Sequence, residues 1–334
     1  GIPVHVWTAS VKSGSEPGLN LGFSDVGLTV GTHALIESGF LPERLGLVII
    51  DEQHRFGVAQ RERLLRKGRY PHLLVMTATP IPRTLGLTVY GDLDISVLDE
   101  KPPGRGRIRT HLRSPEALPK VWAFLRRELE GGHQAYIVYP RILDNGEEDA
   151  KSVETVYPRI CKALEPHAVG KLHGRMPAED KERVLSEFRA GRIQALVATS
   201  VIEVGIDVPQ ATLMLIENAQ QFGLAQLHQL RGRIGRGAAE SHCILVGGKA
   251  QGLPDPRLKA FAETDDGFAL AELDFRLRGV GEMTGWAQSG SDHLRFGSLI
   301  EDRPLVEFAR RLVRDHLRRP RGRDSAADPG SDPG

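Results

Sequence analysis

Two acidic residues at the end of an apolar run, and two arginines spaced three apart among glycines, are the residues of this sequence best suited to chemistry. The run Leu45-Gly-Leu-Val-Ile-Ile50 is short and unbroken, and Asp51 and Glu52 follow it directly. Such a run reads as a buried parallel strand, and open α/β sheets bind ligands at the carboxyl ends of their strands. Placed there, Asp51 can hold Mg²⁺ through its water shell, and Glu52 can position and deprotonate an attacking water, which suits a nucleotide site. His54, two residues on, is placed to sense what is bound. A strand that simply ends in a polar turn has the same local sequence, so this segment needs partners elsewhere.

Gln226-Leu-His-Gln-Leu-Arg-Gly-Arg-Ile-Gly-Arg-Gly237 supplies the strongest one. Arg233 and Arg236 fall on one side of a helical turn, and glycines at 232, 235 and 237 let backbone approach whatever they grip. Paired guanidiniums fit phosphates, where they stabilise the charge that builds up during phosphoryl transfer. A lone arginine pair fits a solvated basic turn or a structural anion site equally well. The spacing Gln229-x-x-Gly232-Arg233-x-Gly235-Arg236 is far more specific than a charge run.

The elements that must position these residues alternate. Val4–Thr8, Val26–Thr32, Leu45–Ile50 and Leu73–Thr77 are β-rich runs ending in small or polar residues, with a helix expected over Ala59–Lys67. Alternation of this kind implies a parallel sheet with crossover helices, which brings Thr77 and Thr79 beside Asp51 and Glu52. Glu100-Lys-Pro-Pro-Gly-Arg-Gly-Arg107 is the clearest boundary. A second α/β series follows, with helices over Glu116–Leu129, Ser152–Leu164 and Pro177–Ala190. Its strands are Gln134–Tyr139, Gln194–Thr199, Ala211–Ile216 and His242–Val246. After Gly247, helices over Leu258–Glu263, Phe268–Arg278 and Pro304–Arg318 surround a glycine-rich stretch from Gly279 to Gly290. The expected layout is therefore 1–104, 105–247, a helical element 248–318 and a disordered tail 319–334.

Composition narrows the class without choosing a function. Lys plus Arg total 44 against 43 Asp plus Glu in 334 residues, so a nucleic-acid surface must come from local patches. Arg310–Arg323 holds seven arginines, and such a run is more often a solvated helix end. Cys161 and Cys243 lack the paired spacing of a zinc site, so a reduced, cytoplasmic protein is expected. No apolar stretch approaches bilayer length, so no membrane partner is expected. The chain begins at Gly1 in strand-like sequence and reads as a piece of a longer protein.

With these residues in place, a resemblance can be stated. Asp51-Glu-Gln-His54, Thr77-Ala-Thr79 and Gln229–Arg236 resemble motifs II, III and VI of superfamily 2 helicases, and Ala198-Thr-Ser-Val-Ile-Glu-Val-Gly-Ile-Asp207 resembles motif V. Gly31-Thr-His33 is similar to motif Ib, and Leu172-His-Gly-Arg-Met176 to the segment after motif IV. More narrowly, Asp51–Val58, Met76–Thr84, Tyr90–Asp94 and Phe222–Arg231 resemble the RecG family of branched-DNA helicases. The transcription-repair coupling translocases share several of these motifs, but their motif II usually lacks a residue such as His54.

The resemblance implies an α/β fold of two RecA-like motor domains in tandem. The first would be represented by its second half, and a small helical coupling element would follow the second. It implies an ATP-dependent helicase with ATP and Mg²⁺ as cofactors, Mg²⁺ being held through water by Asp51. Glu52, Arg233 and Arg236 would be catalytic, while Gly205, Asp207 and Gln229 would bind ATP beside Asp51. Thr32, His173 and Thr199 would line the DNA track. His54, Thr77, Thr79, Arg276, Arg278 and Gln288 would couple hydrolysis to movement. Where the family carries Gly-Thr-Arg-Gln, the chain has Gly285-Trp-Ala-Gln288. Branched DNA is the implied partner of a bacterial cytoplasmic monomer, with a single-strand DNA-binding protein as a further candidate. The family's Gly-x-x-x-x-Gly-Lys-Ser/Thr phosphate loop is not in the chain, so ATP hydrolysis by these 334 residues alone is not expected.

Overall fold

The computed structural model describes residues 2–8, 26–42, 44–52, 56–69, 71–78, 94–98, 100, 104–140, 153–199, 208–247, 255–284 and 302–318. Contacts between Cα atoms divide the chain into two units, Gly1–Thr79 and Pro80–Gly334.

In the first unit β1 (Val4–Trp7) pairs in parallel with β2 (Leu28–Gly31), and β3 (Leu47–Ile50) with β4 (His72–Val75). Parallel neighbours need a crossover, and α1 (Val58–Leu65) supplies it between β3 and β4. The helix starts where the Gln60 side chain reaches back to accept the Gly57 N–H at 2.9 Å. Alternation along β3 buries Val48 and Ile50, which pack with Leu64 of α1, while Leu47 and Ile49 face outward. Lys67 Nζ donates to the carbonyls of Glu37 and, at 2.7 Å, Phe40, which closes the turn after β2; burial pushes its pKa down. Gly31, at the end of β2, has to be glycine, because a Cβ there would meet the Trp7 carbonyl oxygen at 2.1 Å.

The second unit is built on a six-stranded parallel sheet in the order β5-β10-β9-β6-β8-β7. Its strands are β5 (Ile108–Arg113), β6 (Gln134–Val138), β7 (Val169–Leu172), β8 (Ala195–Ala198), β9 (Ala211–Glu217) and β10 (Ser241–Val246). The crossover helices are α2 (Leu118–Glu130), α3 (Val153–Leu164), α4 (Ala178–Arg189) and α5 (Leu224–Arg231). Both faces of the central strands are covered. Along β6, Ala135 and Ile137 face the layer of α2 and α3, whereas Tyr136 and Val138 face the layer of α4 and α5. At the carboxyl ends of β6 and β9 the buried Tyr139 hydroxyl donates to Glu217 Oε1 at 2.5 Å. Burial, with the Glu217 carboxylate beside it, raises the pKa of that phenol.

The expected elements form within a few residues of their expected bounds, with three differences. Strands β5 and β7 were not anticipated; they are the two edges of the sheet, where polar residues are tolerated and break the apolar signal. Helix α7 (Gly267–Thr284) does not stop at Arg278 but continues into the expected glycine-rich stretch. Finally, α6 (Pro256–Glu263) and α7 share the core of the sheet unit, with Leu258, Phe261 and Leu270 packed in one cluster with Leu224, Leu227 and Leu230 of α5. The last described helix is α8 (Arg303–Arg318). The expected tail 319–334 lies outside the described residues.

Candidate nucleotide and nucleic-acid site

In the first unit the acidic residues sit at the carboxyl end of β3, beside that of β4. Met76 N–H donates to the Ile50 carbonyl at 2.8 Å, so the register brings Thr77 level with the residues that follow β3. Asp51 is exposed, and one of its carboxylate oxygens accepts the Glu52 N–H at 2.9 Å. Glu52 has φ of 51°, in the left-handed region. For a residue with a Cβ that conformation costs about 1–2 kcal/mol, and such outliers gather where function fixes the backbone. The turn takes Glu52 out of the strand direction and leaves its carboxylate partly buried, with Oε2 withdrawn from solvent. The exposed Asp51 suits contact with a hydrated cation that takes its remaining ligands from phosphates. Among the described residues no group of three or more His, Cys, Asp or Glu could enclose a metal by itself.

Thr32 follows β2 as an exposed residue, and its N–H donates to the Trp7 carbonyl at 3.3 Å. The His33 ring stacks on Phe56 with centroids 4.4 Å apart, which joins the turn after β2 to the segment leading into α1.

In the second unit the arginines differ from expectation. Helix α5 ends at Arg231, so Arg233 and Arg236 stand on the turn after it and not on a helical turn. After Arg231 the backbone tightens, with the Arg233 N–H donating to the Leu230 carbonyl at 2.9 Å and the Ile234 N–H to that of Arg231 at 3.3 Å. Gly235 then turns the chain with φ of 70°, and a Cβ there would meet Ile108 Cγ1 at 2.7 Å. Arg233 and Arg236 are both partly buried, and Gln229 lies one turn back on α5, also partly buried.

His173 and Thr199 are brought together: they follow the paired strands β7 and β8, and Thr199 N–H donates to the Leu172 carbonyl at 3.4 Å. His173 Nε2 lies 3.0 Å from Glu154 Oε1, and Lys171 Nζ is 2.7 Å from Glu154 Oε2. The hydrogen bond from Lys171 is the main cause holding the exposed Glu154 carboxyl below its usual pKa. Arg276 is an exposed residue of α7, and Arg278 is on the same helix with its side chain outside the described residues. His54, Thr79, Gly205, Asp207 and Gln288 also lie outside the described residues.

Sequence reasoning missed Arg231. It reads as one more basic residue in the motif, yet it is 4% exposed and donates to the carbonyls of Phe261 and Thr264. Its only signal was position: it closes an amphipathic helix whose Leu224, Leu227 and Leu230 face the core.

Comparison with known proteins bears on what this arrangement does. The family described as "Helicase conserved C-terminal domain" matches residues 120–238, which run from α2 through the Arg233–Arg236 turn. The ATP-dependent DNA helicase RecG of Thermotoga maritima is 48% identical over 309 residues, covering 92% of this chain and 39% of that protein. RecG of Synechocystis is 46% identical over 312 residues, again 92% of this chain, and 38% of its own length. The chain belongs to the RecG family. A solved structure of RecG bound to a three-way DNA junction agrees in shape, with a TM-score of 0.70 and 42% identity over 92% of this chain and 40% of that one. The DNA-bound helicase MrfA, at 18% identity and a TM-score of 0.56, shares the fold alone. The chain spans about two fifths of the length of the RecG proteins named here.

Proposed function

We propose that this chain supplies the hydrolytic and coupling parts of an ATP-dependent DNA helicase that acts on branched DNA, in repair and recombination. The observation that carries the reading is identity of 46–48% with RecG helicases across 92% of the chain.

In this reading Glu52, held by its left-handed backbone, orients a water and accepts its proton as it attacks the terminal phosphate. Mg²⁺, when bound with ATP, neutralises phosphate charge, and the exposed Asp51 holds its hydration shell. Gln229, Arg233 and Arg236 contact the nucleotide, and the arginines offset charge as the bond to the leaving group breaks. Gly205 and Asp207 complete the nucleotide contacts. Thr32, His173 and Thr199 hold DNA through its phosphates, which grips the backbone without reading bases. His54, Thr77, Thr79, Arg276, Arg278 and Gln288 link hydrolysis to movement. The protein works as a cytoplasmic monomer, with a single-strand DNA-binding protein as a further partner.

The test is ATP-dependent strand separation by a version extended to the relatives' full length, on a synthetic three-way DNA junction and on a matched branched RNA. DNA unwinding that needs ATP supports the reading. Unwinding of the RNA alone contradicts it.

A further inference from the structure

Arg231 is the last residue of α5 and directly precedes the turn that carries Arg233 and Arg236. Its guanidinium reaches the end of α6 and the connection that leads into α7. Nη1 donates to the carbonyl of Thr264 at 3.0 Å and to that of Phe261 at 3.1 Å, which are the open carbonyls at the end of α6. The guanidinium also lies over the Phe261 ring, 4.2 Å from its centroid. Nη1 stands 3.4 Å from Thr110 Oγ1 on β5 and 3.5 Å from Asp265 Oδ1, while Nη2 is 3.4 Å from His228 Nδ1.

A 4%-exposed cation is an expensive way to fill a core. Burial lowers the pKa of Arg231, opposed by Cys243 and Asp265. An apolar side chain of similar volume would pack as well, so what the arginine adds is geometry. Its Nη1 alone donates to two carbonyls while the guanidinium lies over the Phe261 ring, and its charge complements the negative end of the α6 dipole. The chain then leads directly into α7: Asp266 N–H donates to Thr264 Oγ1 at 3.2 Å, and Phe268 N–H to Asp266 Oδ1 at 2.8 Å. One side chain therefore joins the end of α5, the end of α6 and the connection that starts α7, the helix bearing Arg276.

We infer that Arg231 is a positioning residue that makes the Arg233–Arg236 turn and the α6–α7 pair move as one body, so that a change at the nucleotide reaches the coupling helices. This rests on the helicase reading above. Arg231 touches neither nucleotide nor DNA in this role; it sets how much strand separation each hydrolysed ATP yields.

The experiment uses the full-length protein with Arg231→Met and Arg231→Lys, measuring ATP turnover and strands separated per ATP on a three-way DNA junction. Arg231→Met should keep turnover within about threefold of the parent while the yield per ATP falls about tenfold. Arg231→Lys keeps the charge, and so guards against a variant that fails to fold; it should recover part of that yield. Turnover and yield falling together in both variants, or neither changing, would overturn the role of Arg231. A parent protein that leaves the junction intact would instead overturn the helicase reading itself.

Discussion

The two units solve the same construction problem to different extents among the described residues. In the second, every residue of β6, β8 and β9 is buried, because helices cover both faces of a six-stranded sheet. In the first, the described strands form two separate pairs, and Val4, Val6, Leu28, Val30, Leu47, Ile49, Leu74 and Met76 are all more than 40% exposed. Yet the first unit carries Asp51 and Glu52. The contrast separates chemistry from packing: Glu52 is placed by a local backbone turn and one strand pair, whereas the arginine turn is placed by a core that extends through α5, α6 and α7.

If that is right, the largest effect should come from the less buried unit. Glu52→Gln in the full-length protein should retain nucleotide binding while hydrolysis falls by about 10²–10⁴-fold, the usual worth of a general base. Steady-state turnover beside a nucleotide-binding titration checks this, and parental turnover would remove Glu52 from the role. Arg236→Ala should come next, lowering the maximal rate by about 10²–10³-fold with little change in nucleotide affinity. A loss confined to affinity would make Arg236 a binding group only.

Stability should rank the units the other way. In urea unfolding of the 334-residue chain, Ile137→Ala should cost about 2–5 kcal/mol, because Ile137 is fully buried between β6 and the α2–α3 layer. Ile49→Thr, at a position 50% exposed on β3, should stay within about 0.5 kcal/mol. Equal costs would mean that the two sheets are not differently built.

What could be read from the sequence follows the same line. The central strands were legible because burial on both faces forces continuous apolar runs such as Ala211–Ile216. Ile108-Arg-Thr-His-Leu-Arg113 was not legible, because an edge strand carries residues that any loop would also accept. Asp51 and Glu52 could be placed at a strand end because the apolar run stops so abruptly before them. The left-handed turn at Glu52 could not be foreseen, since nothing about a glutamate marks a positive φ. For the arginines, the three-residue spacing suggested a helical turn, whereas the helix ends at Arg231 and the backbone turns at Gly235, between the two. The burial of Arg231 depends on α6 returning to lie against α5, a long-range contact that no local pattern encodes.

The central claim is that acids and arginines of this chain hydrolyse ATP in response to branched DNA. The most direct measurement is ATP hydrolysis by the full-length protein with and without a three-way DNA junction. We expect turnover to rise sharply with the junction. Turnover that ignores the junction would contradict the claim.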